Sequence, residues 1–271
     1  MIAATRFAAI ALLFVGAAAA QTPLIHAHAH NDYEHARPLL DALDHGFCSV
    51  EADIYLVDGA LLVAHNLKDV KPDRTLQALY LDPLHERVKA NGGRVYKDGP
   101  TVQLLVDIKA DGAKAYEALK QVLAQYEDML TVFDRGKIES KAVTVVLSGA
   151  APRDVLKSEP RRLAAMDGRF GDLDGPIDPS FTPLISESWG ATFKWNRDGE
   201  MPQDIRDKVK ALADKAHAGG AKVRFWAIPA RENFWKALMD AGVDLINADD
   251  LPRLQKFLTE RPAKWRAKTR T

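Results

Sequence analysis

Leu24-Ile25-His26-Ala27-His28-Ala29-His30-Asn31-Asp32-Tyr33 is the stretch on which the fold turns. His26, His28 and His30 recur with a period of two, so on a strand all three imidazoles share one face. Three adjacent histidines have little use on a plain surface strand. On the first strand of a parallel α/β barrel they project toward the C-terminal mouth, where such folds do their chemistry.

Working outward from that stretch, strand-like runs alternate with helix-like segments. A helix predicted over 37–45 ends at Gly46, a suitable C-cap. The second run is Phe47 to Leu56, and Asp58-Gly59 turns it into Leu61 to His65, a hairpin signal. Residues 76–91 read as mostly helical. The third run, Val102 to Lys109, is closely apolar, as expected of a strand covered on both faces. Helical periodicity over 113–130 leads to a fourth run, Ala142 to Leu147. The fifth and sixth, Arg169 to Leu173 and Leu184 to Ser186, are weak, and the proline-rich segment between them is too short for an ordinary helix. A helix over 202–218, a seventh run from Lys222 to Ile228, a helix over 233–241 and an eighth run from Val243 to Asn247 complete the series. Eight runs with helical spacers predict a single α/β domain, a (β/α)8 TIM barrel over 21–258, with its site at the C-terminal strand ends. A doubly wound open sheet is the alternative. The absence of Gly-x-Gly-x-x-Gly after the first run removes its usual dinucleotide reading.

Composition agrees with one large core: 271 residues, 47% hydrophobic. Residues 1–20 are set apart. Arg6, the apolar run from Phe7 to Val15 and Ala18-Ala19-Ala20 form a secretory signal pattern, with an N-terminal anchor as the alternative. An exported protein, periplasmic or secreted, is therefore expected. Without Arg6 the chain carries one more acidic than basic residue, which offers no basic surface for nucleic acid. Cys48 is the single cysteine, so no intramolecular disulfide forms. In its apolar run it reads as a buried small hydrophobe. The tail over 259–271 is rich in Lys and Arg. It reads as a solvated end, with weak peripheral contact to anionic lipid as the sharper alternative. A monomer is expected.

Glu51 and Asp53 lie two apart at the end of the second run and face the same way; Asp107 falls at the matching end of the third. Carboxylates aimed into one mouth repel each other, and a divalent cation relieves that repulsion while supplying a Lewis acid. Hard oxygen ligands favour Mg²⁺ or Ca²⁺ over zinc. Solvated strand-end acids are the plain alternative. His30 and His65 are the acid–base candidates; His35, His45, His85 and His217 read as structural. Lys109 shares the face of Asp107, where it can neutralise a phosphate oxygen or pair with a carboxylate. Trp226 and Asn247-Ala248-Asp249 end the last two runs and can wall a headgroup. Trp226 either faces a quaternary ammonium there or packs in the core. Glu187 and Trp189 carry the same ambiguity.

His30-Asn31, Glu51-x-Asp53, His65 and Asp107-x-Lys109 resemble the active-site series of the PI-PLC-like phosphodiesterase superfamily. That superfamily includes glycerophosphodiester phosphodiesterases, phosphoinositide phospholipases C and the sphingomyelinase D toxins. His-x-His-Asn-Asp-Tyr, Ser49-Val50-Glu51-Ala52-Asp53, the stretch from Leu79 to Leu84 and that from Gly242 to Asp249 are most similar to the branch of the fungal altered-inheritance-of-mitochondria proteins. The resemblance implies a TIM barrel, Glu51, Asp53 and Asp107 as metal ligands, and His30 and His65 as the catalytic pair. It further implies that Lys109 contacts phosphate and that Asn31 binds phosphate or ligates calcium. The substrate it implies is a small-molecule or lipid phosphodiester. Three departures stand out. The His-Arg-Gly usual in glycerophosphodiesterases is missing, Asp107 stands where glutamate is more usual, and the toxins' disulfide loop is absent. Headgroup specificity therefore does not transfer. Two rivals remain: an amidohydrolase-type or PHP-type metal hydrolase using His28-x-His30, and an exported binding protein without catalysis.

Overall fold

The computed structural model describes residues 21–260; the expected signal segment 1–20 and residues 261–271 of the basic tail lie outside the described residues. Eight parallel strands close on themselves, as the run pattern predicts: β1 (Leu24–Ala29), β2 (Phe47–Val57), β3 (Val102–Ile108), β4 (Val143–Gly149), β5 (Ala164–Gly168), β6 (Leu184–Ser188), β7 (Lys222–Trp226) and β8 (Leu245–Ala248). β1 pairs with β8 on one side and β2 on the other, which completes the barrel. The strand Ala60–Val63 folds back antiparallel on β2 through Asp58-Gly59, as the hairpin signal predicts.

The fifth run is a correction. Residues Phe170–Asp174 form a 3-10 helix, and the strand lies just before them at Ala164–Gly168. Alanine is a poor strand former and Asp167 looks out of place in a strand, so propensity hides the segment. It is nevertheless buried throughout, and its place is set by pairing with β4 and β6. A small side sheet formed by Val132–Asp134, Lys137–Glu139 and Arg161–Arg162 is a second feature the runs miss. The last helix spans Leu251–Thr259.

The strand period of two sorts side chains into two cores. Val50, Ala52 and Ile54 of β2 and Ala27 and Ala29 of β1 face outward into the main core, under helices such as Gly112–Leu123 and Glu232–Asp240. Inside the barrel, Leu105, Val146, Leu184 and Leu245 form a separate buried cluster. That plug lies one layer below Asp107, Ser148, Ser186 and Asn247, so the polar side chains collect above it, at the C-terminal ends. Cys48 is buried, and burial pushes its thiol up to about 12, as befits a packing residue. Among the described residues, no helix is long and apolar enough to cross a membrane.

Gly149 ties the fold to the mouth. It ends β4 at φ +67°, and a Cβ there would stand 2.2 Å from Asp107 Oδ1 and 2.5 Å from the Ile108 carbonyl oxygen. Gly149→Ala combines left-handed backbone strain with a steric overlap, and should cost about 2 kcal/mol or more of unfolding free energy. Urea denaturation checks this; an unchanged midpoint would show that the strand end is not held against Asp107.

Candidate active site

His26 and His28 of β1 and His30 just past its end have different partners. His26 Nδ1 is 2.7 Å from the Asp244 carbonyl. His28 is fully buried, with Nδ1 2.7 Å from Ser49 Oγ and Nε2 2.7 Å from Arg224 Nη1. Arg224 only donates, so Nε2 must accept. Burial, reinforced by the Arg224 charge, lowers His28 to about 4 and keeps it neutral. Both its nitrogens are engaged, so His28 has no lone pair for zinc, and the rival built on His28-x-His30 loses its first ligand.

His30 reaches the mouth. Its Nδ1 lies 2.8 Å from Asp249 Oδ1, which fixes the Nδ1–H tautomer or the imidazolium, and Nε2 stands 3.8 Å from Glu51 Oε2. Burial disfavours the charged ring, but Asp249 and Glu51 outweigh it and raise the His30 pKa. Asn31 follows in the left-handed region (φ 48°, ψ 37°), which asparagine tolerates better than most residues. The turn swings Tyr33 back under the site.

The Tyr33 hydroxyl lies 2.7 Å from Asn31 Oδ1, 2.7 Å from Asp53 Oδ2 and 3.0 Å from His65 Nδ1. A phenol has one proton, and the Asp53 carboxylate is the strongest acceptor for it. His65 must then donate its Nδ1–H to Tyr33, which leaves Nε2 bare. Both rings are tied at Nδ1: His30 turns Nε2 toward Glu51, and His65 Nδ1 also lies 3.3 Å from Asp53 Oδ2. His65 is mounted beyond the Ala60–Val63 strand, on the arm that β2 extends above the barrel.

Between the two rings sit the carboxylates. Glu51, Asp53 and Asp107 bring one oxygen each to within 4.8 Å of one another. β2 and β3 run in register with Asp53 opposite Asp107, which accounts for the meeting. Lys109 Nζ is 2.8 Å from Asp53 Oδ2 and 3.5 Å from Asp107 Oδ1. Burial opposes ionisation of Glu51, yet the charges of Arg224 and His30 hold it well below the usual carboxylate range. For Asp107 burial wins over Lys109 and, with the other two carboxylates, pushes it up to about 6. Asp53 Oδ1 is buried without a hydrogen-bond partner. Three converging hard oxygen donors, one of them orphaned, fit a divalent cation.

On the opposite side, β5, β6 and β7 supply residues that the sequence reading passes over. Asp167 accepts from Ser148 Oγ, Ser186 Oγ and Arg169 Nη1 at 2.9, 2.6 and 2.9 Å. Arg224 Nε donates to Ser186 Oγ at 3.2 Å. Their signal was present: Arg224 precedes Trp226 by two and Tyr33 follows Asn31 by two. Trp226 is half-buried at the mouth beside both arginines. Trp189 is not part of the mouth. It is a core residue, 4.6 Å from Phe193 and 4.7 Å from Phe234 between ring centroids. His85 and His217 pair with Asp128 and Asp244 at 2.7 and 2.8 Å, away from the cluster.

Comparison with known families agrees with this geometry. Residues 18–166 match the model of the AIM6-like phosphodiesterase domain. The chain belongs to the AIM6-like phosphodiesterase family. Residues 222–252, which include β7 and β8, match the glycerophosphoryl diester phosphodiesterase family as well. Altered inheritance of mitochondria protein 6 of Eremothecium gossypii is 30% identical over 86% of this chain and 69% of that protein. Its homolog in Arthroderma benhamiae is 30% identical over 83% of this chain and 81% of that protein. Two crystal structures of glycerophosphodiester phosphodiesterases share the fold. That from Parabacteroides distasonis has TM-score 0.52 at 16% identity, covering 87% of this chain and 97% of that one. That from Agrobacterium tumefaciens has TM-score 0.53 at 13% identity, covering 87% and 100%. The AIM6-like chain is therefore a phosphodiesterase-type TIM barrel, and the branch read from its motifs is the one it belongs to.

Asp32, beneath Tyr33, gives the site a measurable pH signature. It is fully buried, and burial pushes its carboxyl up to about 7 despite hydrogen bonds from Leu39 N–H and the Tyr80 hydroxyl. The folded value exceeds the 3.8 of a free carboxyl. This group's stabilising effect is therefore complete below about pH 4 and lost as the pH rises through about 7. Asp32→Asn removes that titration, so its unfolding free energy relative to wild type should climb between about pH 4 and about pH 7. Urea denaturation across the window measures it, and a pH-independent difference contradicts the assignment.

Proposed function

We propose that this chain is a metal-dependent phosphoric diester hydrolase acting on a glycerophosphodiester or phospholipid headgroup by paired histidine acid–base catalysis. The supporting observation is a carboxylate triad with an orphaned oxygen, approached by His30 Nε2 at Glu51 and by His65 Nδ1 at Asp53. Glu51, Asp53 and Asp107 would hold the cation, Mg²⁺ or Ca²⁺. Bound there, it supplies a Lewis acid that offsets charge developing on the phosphoryl oxygens.

The remaining steps belong to the side chains. Lys109, tethered by Asp53 and Asp107, offers its ammonium to the phosphoryl group. One imidazole removes a proton from the attacking hydroxyl or water and the other returns a proton to the leaving oxygen. Asp249 orients His30; Tyr33 orients His65 and holds Asn31 in place. The plug of Leu105, Val146, Leu184 and Leu245 closes the floor and confines substrate to the mouth. An exported location, periplasmic or secreted, is proposed on residues 1–20 alone.

His30→Ala and His65→Ala should each lower turnover of a reactive diester such as bis-p-nitrophenyl phosphate by about 100-fold or more, with an unchanged circular dichroism spectrum. EDTA should abolish activity and added Mg²⁺ or Ca²⁺ restore it. Full activity in both variants would overturn the histidine mechanism, and activity indifferent to EDTA would overturn the metal.

A further inference from the structure

Asn247 is over nine-tenths buried, and neither Oδ1 nor Nδ2 has a hydrogen-bond partner. Its neighbours fix its direction. Ile246 and Ala248 lie in the outer core and Leu245 in the interior plug, so Asn247 faces the barrel axis one layer above the plug. It stands opposite His28 on β1. β7 and β8 pair Arg224 with Leu245 and Phe225 with Ile246, so the next step brings Trp226 beside Asn247. A buried amide with both ends unpaired is rare in a folded protein and points to a partner that arrives from outside.

The wall around it is cationic. The guanidinium carbon of Arg169 lies 5.0 Å from the centre of the Trp226 ring and that of Arg224 lies 5.9 Å from it. Arg169 is paired with Asp167 but its side chain remains 39% exposed. Arg224 is buried, and among the described residues no carboxylate lies within ion-pair distance of it; its partners are His28 and Ser186. A quaternary ammonium approaching Trp226 therefore meets two guanidinium groups instead of a free aromatic face. An anionic group meets two complementary charges. A hydroxyl, which both donates and accepts, matches both ends of the Asn247 amide.

We propose that Asn247, Arg169, Arg224 and Trp226 form the headgroup subsite of the diester site, and that it takes a hydroxyl-bearing anionic group such as a phosphorylated polyol in preference to a quaternary ammonium. The inference rests on the phosphodiesterase reading above. It replaces the expectation of a choline-type group at Trp226.

The test compares glycerophosphoinositol phosphate, glycerophosphoinositol and glycerophosphocholine as substrates of the metal-loaded protein, with bis-p-nitrophenyl phosphate as a diester lacking any such headgroup. The expected order of kcat/KM is phosphorylated inositol, then inositol, then choline. Asn247→Leu should raise KM for the phosphorylated diester by about 10-fold or more, and Arg169→Gln should narrow its lead over the choline diester. Asn247→Leu should keep or raise Tm, because no bond within the protein is lost; a purely structural asparagine would lower it. A choline diester turned over as well as the phosphorylated one, or variants that change neither the KM of the phosphorylated diester nor its lead, would overturn the subsite while leaving the phosphodiesterase reading intact. No turnover of any diester, the nitrophenyl one included, would remove both.

Discussion

Three carboxylates confined within 4.8 Å of one another are the constraint that the mouth of this barrel is built to satisfy. Like charges at that spacing, away from bulk water, repel by several kcal/mol. Every neighbour acts on that repulsion. Lys109 pairs with two of the three, Tyr33 donates to Asp53, the Asn31 amide N–H points at Glu51 from 3.4 Å, and Arg224 supplies a field from below. Asp107, the least compensated, responds by holding its proton more tightly. The compensation stops short of completion at Asp53 Oδ1, and an all-oxygen cluster left in that condition is what a divalent cation completes.

The surrounding polar network differs from the triad in kind. His28, Ser49, Arg224, Ser186, Asp167 and Ser148 form a connected series of short hydrogen bonds across the barrel interior. Such networks hold a core in one arrangement when nearly every member is satisfied. This one is satisfied except at Asn247, beside its edge. Asp53 Oδ1 and both ends of the Asn247 amide are the mouth's share of the buried polar atoms left without a partner.

Much of this could be read from the residues. Period-two placement of His26, His28 and His30, of Glu51 and Asp53, and of Asp107 and Lys109 follows from strand geometry alone, and the Asp58-Gly59 turn predicts where His65 is carried. What was not legible has physical reasons. β5 is built from Ala164, Ala165 and Met166 around a buried Asp167, a composition that local propensity assigns elsewhere; only pairing with β4 and β6 makes it a strand. Arg224 reads as a surface residue in a one-dimensional pattern, and its role depends on His28, nearly two hundred positions away in the chain. The aromatic face of Trp226 looked available because its two guanidinium neighbours come from separate strand ends.

The arm formed by the end of β2 and the strand Ala60–Val63 stands outside the closed barrel. The carboxylates ride on the rigid ring of strands, whereas His65 rides on this appendage, latched by Arg74 through its own backbone carbonyl to Val63 and through its side chain to Tyr33 O. In the proposed mechanism, the ion cradle and the second acid–base histidine would therefore ride on mechanically separate parts. Evolution can retune the reach, tilt or rigidity of the second histidine through the appendage alone, without disturbing the cradle that the ring provides.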